Sequence, residues 1–284
     1  MIIGGSKGEV IENIRKAIMD EDFTRKVELG DPNLSMQQQL DISSECLSRL
    51  NTFSYRFCNR LARTAEDLAG WMLNIKTDIV GIENLDSITG GAVITSNHFN
   101  PIDSTVIRKL VKKTGRNRLY TVSQATNFAA PGIIGFLLYY ADTIPIMGDA
   151  HYLEQLFTSR LNSLFEKNQW VLIYPEQEMW FNYRKPRPPK RGAYYYAAKC
   201  KVPIISCFVE MRDLGKRDND EFRKVRYTLH ILPPIFPDKA KSVRENSVYM
   251  MQTDYAQKRS AYESIYNKEL IYAFSTDDIA GWIQ

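Results

Sequence analysis

No stretch of this chain is apolar for the roughly 18 to 20 residues that spanning a bilayer requires. The best run, Ala129 to Ala141, holds Pro131, Gly132 and Gly135 and stops at Asp142, so the chain is not expected to cross a membrane. Histidine is scarce, at three residues, and the four cysteines (Cys46, Cys58, Cys200 and Cys207) show neither zinc-ligand nor disulfide spacing. No metal site or cofactor is expected. The chain starts without a secretory leader pattern, which makes a reducing cytoplasm the expected compartment. Neither sign of charge dominates: 37 basic and 33 acidic residues leave a net charge of +4. That balance is too mild to imply nucleic acid, and no zinc-finger, helix-turn-helix or RNA-binding signature accompanies it. Repeats and low-complexity tracts are also missing. What is present is 44% hydrophobic residues over 284 positions, enough for one large core or a core with a helical appendage.

The N-terminal part differs from the rest. Gly8 to Glu28 and Met36 to Leu73 show helical periodicity without strand signals, predicting two helices separated by a turn at Gly30-Asp31-Pro32-Asn33. Ser35 and Gln38 have the spacing of a capping box at the start of the second. From Asp78 to Ile235 short β-branched runs alternate with helical segments, which predicts an α/β fold: a mixed, largely parallel sheet flanked by helices. The expected division is an N-terminal helical element over 1–76 and an α/β domain with C-terminal helices over 77–284.

Within that domain the densest chemistry lies at Asn97-His98-Phe99-Asn100-Pro101-Ile102-Asp103. Gly91 to Ser96 reads as a buried strand, so His98 falls just beyond a strand's carboxyl end, where open α/β sheets place ligands. Asn100, Pro101 and Asp103 read as an N-cap, a first helical proline and an acidic third residue of a helix running through Val106, Ile107 and Leu110. A histidine can take a proton from a hydroxyl, and a carboxylate on its other ring nitrogen fixes the tautomer and steadies the imidazolium. An acid at that helical position also favours the helix dipole without any chemistry. A second carboxylate stands at a strand end in Trp170-Val171-Leu172-Ile173-Tyr174-Pro175-Glu176-Gln177, and a helix with Gly192 and Ala197 leads to a third apolar run at Val202-Pro203-Ile204-Ile205. His151 and His230 have no partner pattern and read as structural.

Taken in order, His98-x4-Asp103, Tyr174-Pro175-Glu176-Gln177 and Val202-Pro203-Ile204 resemble the three blocks of the glycerolipid acyltransferase family typified by 1-acylglycerol-3-phosphate acyltransferases: His-x4-Asp, a Phe-Pro-Glu-Gly type block and a Val-Pro-Ile block. The resemblance runs from Asp78 to Ile235. It implies that His98 is the base activating an acceptor hydroxyl, that Asp103 orients it, and that Glu176 shapes the acceptor site. Asn97, Glu176, Gln177, Arg184 and Lys185 are the expected substrate contacts. The resemblance further implies transfer of a fatty acyl group from acyl-CoA or acyl carrier protein, as co-substrate, to a lipid acceptor. The sequence departs from the family where Met147 and Met179 stand in place of arginines expected to hold an acceptor phosphate. Two other functions stay open: a lipid-binding protein without catalysis, and a hydrolase of acyl thioesters.

Three further features bear on partners. Arg184 to Arg191 packs five cations into a proline-stiffened loop after Glu176, suited to the phosphates of coenzyme A, an acidic carrier protein or lipid headgroups, or simply to water. Phe53, Phe57, Leu61, Ala65 and Leu68 form one helical stripe beside Arg49, Arg56, Arg60 and Arg63, which fits either an anionic membrane surface or a helix packed on the core. Ile133, Ile134, Phe136, Leu137 and Leu138 fit a slot for a fatty chain, the lipid interface or an ordinary core helix. Family members often carry an N-terminal helical element that sits on the membrane, so peripheral attachment to its cytoplasmic face is expected.

Overall fold

The computed structural model describes residues 7–30 and 32–283. Three helices, not two, precede the sheet: α1 (Gly8–Met19), α2 (Met36–Arg49) and α3 (Phe53–Leu73). The expected capping box opens α2, with the Ser35 amide donating to Gln38 and the Gln38 amide to the Ser35 hydroxyl. The long helical stretch breaks at Thr52, whose hydroxyl accepts the Tyr55 amide and starts α3 afresh. The first helix stops at Met19, well short of Glu28, because Glu21 turns left-handed at φ 54° and Asp22 folds onto the Thr24 amide. In the turn expected before α2, Gly30 has φ 82° and Asp31 lies outside the described residues.

The α/β part carries β1 (Asp78–Val80), β2 (Ala92–Thr95), α4 (Ser104–Lys113), β3 (Leu119–Gln124), α5 (Gly132–Tyr140), β4 (Thr143–Ile146), α6 (Thr158–Glu166), β5 (Trp170–Leu172), α7 (Gly192–Lys199), β6 (Ile204–Arg217), β7 (Arg223–Ile231) and α8 (Val243–Tyr266). The sheet order is β1-β7-β6-β2-β5-β3-β4. All neighbours are parallel except β6 and β7, which form an antiparallel pair. The expected mixed, largely parallel sheet is thus present. Gly91 admits β2 to the sheet, since a Cβ there would lie 2.6 Å from the Phe165 Cα at the end of α6.

The strand β2 is buried along its whole length and pairs through Ile94 with Leu172 on one side and Ile205 on the other. From β2 the chain crosses by α4 to β3; from β5 it crosses by α7 to β6. Those helices lie on opposite faces, as the two main cores show: Val106, Ile107, Leu110 and Val111 of α4 pack in one, and Ala193, Tyr194 and Ala197 of α7 in the other. Connections leaving adjacent strands toward opposite faces open a crevice at their carboxyl ends, and His98 follows β2 into it.

Two features tie the flanking segments to this frame. The helix α8 is joined to β2 through a buried polar cluster, in which Lys258 Nζ donates to Asp254 (2.8 Å) and to the Thr95 hydroxyl (3.0 Å) and Tyr194 donates to the same carboxylate. The helix α1 shares a third core with Trp180, Phe181, Tyr183, Phe222 and Ile279, so residues from both ends of the chain pack beside the loop that follows β5.

Candidate active site

The loop after β2 closes on the Asp103 carboxylate. Asp103 Oδ2 lies 2.8 Å from His98 Nδ1 and also accepts the amides of Phe99 (3.0 Å) and Asn100 (3.3 Å). Its other oxygen accepts the Tyr174 hydroxyl at 2.5 Å. Burial, with the Asp103 charge beside it, pushes the Tyr174 phenol well above its usual range, so it stays a donor. The Tyr174 ring stacks on the His98 imidazole with centroids 4.0 Å apart. Asp103 is buried, while the His98 side chain keeps 21% of its surface exposed. With Nδ1 committed to Asp103, Nε2 is the ring atom left to act as a base.

The local geometry differs from the expected helix start. Asp103 is not the third residue of α4 but precedes it: Asn100 caps a turn by accepting the Ile102 amide, Asp103 N donates to Asn100 O, and α4 begins at Ser104. The carboxylate therefore turns back onto the loop and makes no side-chain cap bond to α4.

The second loop, after β5, is bonded directly to the first. Trp180 N donates to His98 O (3.1 Å) and Asn182 N to Phe99 O (2.8 Å). Glu176 is buried, and its oxygens accept the His98 amide (3.2 Å), the Arg187 amide (3.0 Å) and the Arg187 guanidinium (Nε at 3.1 Å, Nη2 at 2.9 Å). Its effect on the site is thus to fix the backbone around His98. Gln177 is exposed, with φ 66°, a left-handed conformation that explains why the family block has glycine there.

Three of the expected substrate contacts have other roles. Asn97 is buried and pairs its amide group with both backbone groups of Val209, at 2.8 and 3.1 Å, so it secures the loop to β6. Arg184 donates to Asp213 and to the carbonyls of Met211 and Asp277, and Lys185 is buried against Asp278 (2.7 Å) and Ala273 O (2.8 Å). These two cations anchor the C-terminal segment. The five-cation loop is therefore mostly internal: Arg187 is buried as well, and Lys190 and Arg191 are the exposed members. Tyr174, Trp180 and Arg187 are the residues that sequence patterning missed. Tyr174 read only as the end of a buried strand, and Arg187 was hidden among its charged neighbours. His230 does find a partner, Glu210 Oε2 at 2.7 Å, across the β6–β7 pair.

Burial also lifts the thiols of Cys46 and Cys207 to about 12 and that of Cys200 to about 11. They stay protonated at neutral pH and are poor nucleophiles.

Residues 76–210 match the family model described as Acyltransferase. No curated protein matches the sequence. Among solved structures the fold is similar to that of PlsC, the 1-acyl-sn-glycerophosphate (LPA) acyltransferase of Thermotoga maritima, with a TM-score of 0.53 and 14% identity over 83% of this chain and 98% of that one. The matched region contains both loops that build the His98 site, so that region is similar to the Acyltransferase family, and the fold is similar to that of PlsC.

Proposed function

We propose that the enzyme moves a fatty acyl group from an acyl thioester, carried by coenzyme A or an acyl carrier protein, to a hydroxyl of a glycerolipid-like or glycolipid acceptor. The observation that carries this reading is the His98–Asp103 pair at the sheet's switch point. In the reaction, Nε2 of His98 takes the hydroxyl proton as the acceptor oxygen attacks the thioester carbonyl. The tetrahedral intermediate then collapses, the C–S bond breaks, and the imidazolium returns the proton to the departing thiolate. Asp103 steadies the imidazolium throughout. No residue need carry the acyl group.

A neutral or sugar-bearing acceptor is favoured over a phosphate monoester. Met147 is buried and Met179 half-buried where the family pattern has arginines, and Arg184 and Lys185 are bonded internally. A phosphate monoester would lack the bidentate guanidinium contacts that hold such groups.

The working position is the cytoplasmic face of a membrane, reached through an exposed apolar surface. The helix α3 turns its stripe outward, with Phe53 86%, Phe57 58% and Trp71 66% exposed, and α5 beside it leaves Ile133 73% exposed. Arg56 and Arg60 flank that stripe and are exposed, matching an anionic surface. The test is acylation by the purified enzyme of lysophosphatidic acid, neutral glycerolipids and glycolipids, with each donor. Folded His98→Ala should lose transfer to every acceptor. Retained transfer in that variant, or release of free fatty acid without an acylated product in the wild type, would refute the reading.

A further inference from the structure

Arg187 is the most enclosed cation of the molecule's catalytic edge, at 1% exposure. It sits far along the chain from His98, in a loop that reads as solvated, yet its contacts lead to the histidine within two bonds. Its guanidinium holds Glu176 Oε2, and that same oxygen accepts the His98 amide. The backbone amide of Arg187 holds Glu176 Oε1, so the carboxylate is clamped at both oxygens and has no freedom to rotate. The remaining guanidinium donors go to Phe23 O (2.9 Å) and Glu178 O, and the plane lies over the Trp180 ring, 4.6 Å from its centroid. Trp180 in turn donates from its backbone to His98 O and from its indole to Arg25 O (3.0 Å). The His98 peptide is therefore gripped from both sides, its N–H by Glu176 and its C=O by Trp180, and Arg187 sets both of those groups. The segment after α1, through the carbonyls of Phe23 and Arg25, closes the network from outside the region that matches the family.

With every guanidinium nitrogen bonded internally and the side chain buried, Arg187 is closed to a phosphate, which excludes it as the missing acceptor clamp. What it can do is hold geometry. We propose that Arg187 is a positioning residue for acyl transfer: with Glu176 it fixes the His98 backbone, and it is itself held by the Phe23 carbonyl of the N-terminal segment. This inference rests on His98 being the base in acyl transfer. Its consequence is that losing Arg187 lowers turnover more than substrate binding, because the imidazole is displaced relative to the attacking hydroxyl while the lipid surface is untouched.

The experiment compares Arg187→Lys, Arg187→Met and the double variant Arg187→Met/Glu176→Gln with wild type, in steady-state transfer from palmitoyl-CoA to monoacylglycerol and, in parallel, to lysophosphatidic acid. Folding is checked by thermal midpoint, and kcat/KM is followed against pH. Arg187→Lys keeps the charge but loses the fork, and should lower kcat by about ten-fold with little change in KM and a displaced acid limb of the pH profile. Arg187→Met leaves Glu176 as a buried unpaired charge and can fail to fold for that reason alone. The double variant removes both charges together and should recover thermal stability while kcat stays about 100-fold down. Folded Arg187→Lys with wild-type kcat and pH profile would overturn the inference, as would a double variant whose kcat recovers along with its stability. His98→Ala in the same assay separates the two readings: if it still transfers acyl groups, the base assignment fails, whereas an inert His98→Ala beside a fully active Arg187→Lys removes only the role given to Arg187.

Discussion

Asp103 organises the loop around His98 and, in the proposed reaction, orients its imidazole. Four donors converge on its two oxygens: the His98 ring, the Tyr174 hydroxyl and two loop amides. Asparagine preserves the shape but presents an amide in place of one oxygen and no charge to the imidazolium. Asp103→Asn is therefore expected to fold and to lose on the order of 1,000-fold or more in kcat/KM, measured as steady-state transfer with the protein's near-native circular dichroism as control. Asn97 stands next to His98 but acts on stability: Asn97→Ala would strand both backbone groups of Val209 and lower unfolding stability by about 2 kcal/mol, read from denaturant midpoints. A clear change in acceptor preference without that loss would instead return Asn97 to the substrate. The His98, Asp103 and Glu176 positions were legible from spacing, because strand ends and block order are local patterns. The partners of Arg184, Lys185 and Arg187 were not, since Asp213, Asp278 and Phe23 lie far away in sequence.

Among the elements, α3 is the one whose amphipathic pattern runs opposite to a core helix. Its inward face carries no aliphatic stripe: Tyr55, Asn59, Ala62 and Gly70 are buried, and it is docked by Asn59 donating to Asp142 (2.8 Å), which Arg118 also binds. The apolar stripe is left outside. A periodicity of this kind reports which residues share a face but not which way the face points, so the two sequence readings could be separated only by docking. Because the stripe makes no internal core, Phe57→Glu with Leu61→Glu should change stability by less than about 0.5 kcal/mol per site while abolishing co-sedimentation with anionic vesicles. Unaltered sedimentation would refute the membrane role of this face. The shorter departures, at Met19 and Thr52, have local causes that periodicity overlooks: a left-handed residue in one case and a side-chain cap in the other.

Over the whole molecule, the catalytic edge is braced from segments that flank the family region. The C-terminal helix α8 reaches β2 through Lys258 and Asp254, both buried, and the residues near Asp278 pair with the loop carrying Arg184. Removing one member of a buried ion pair leaves the other uncompensated. Lys258→Met should therefore lower global stability by about 3 to 5 kcal/mol, seen as a shifted urea midpoint, and pairing it with Asp254→Asn should recover part of that loss. A shift below about 1 kcal/mol in the single variant would show that Tyr194 and Thr95 alone satisfy Asp254.

The order of apolar runs determined the α/β class, and the spacing of His98, Asp103 and Glu176 marked the loops on which the proposed chemistry rests, because strand alternation, turn residues and block order act over a few positions. Tertiary structure decided which charges remain available. Arg184, Lys185 and Arg187 are indistinguishable from solvated cations in a proline-rich loop until the two chain ends fold against them, and their ion pairs exist only once distant carboxylates and carbonyls are brought within about 3 Å. It likewise decided that the stripe on α3 faces outward, since a helix's orientation depends on what the rest of the chain offers to bury.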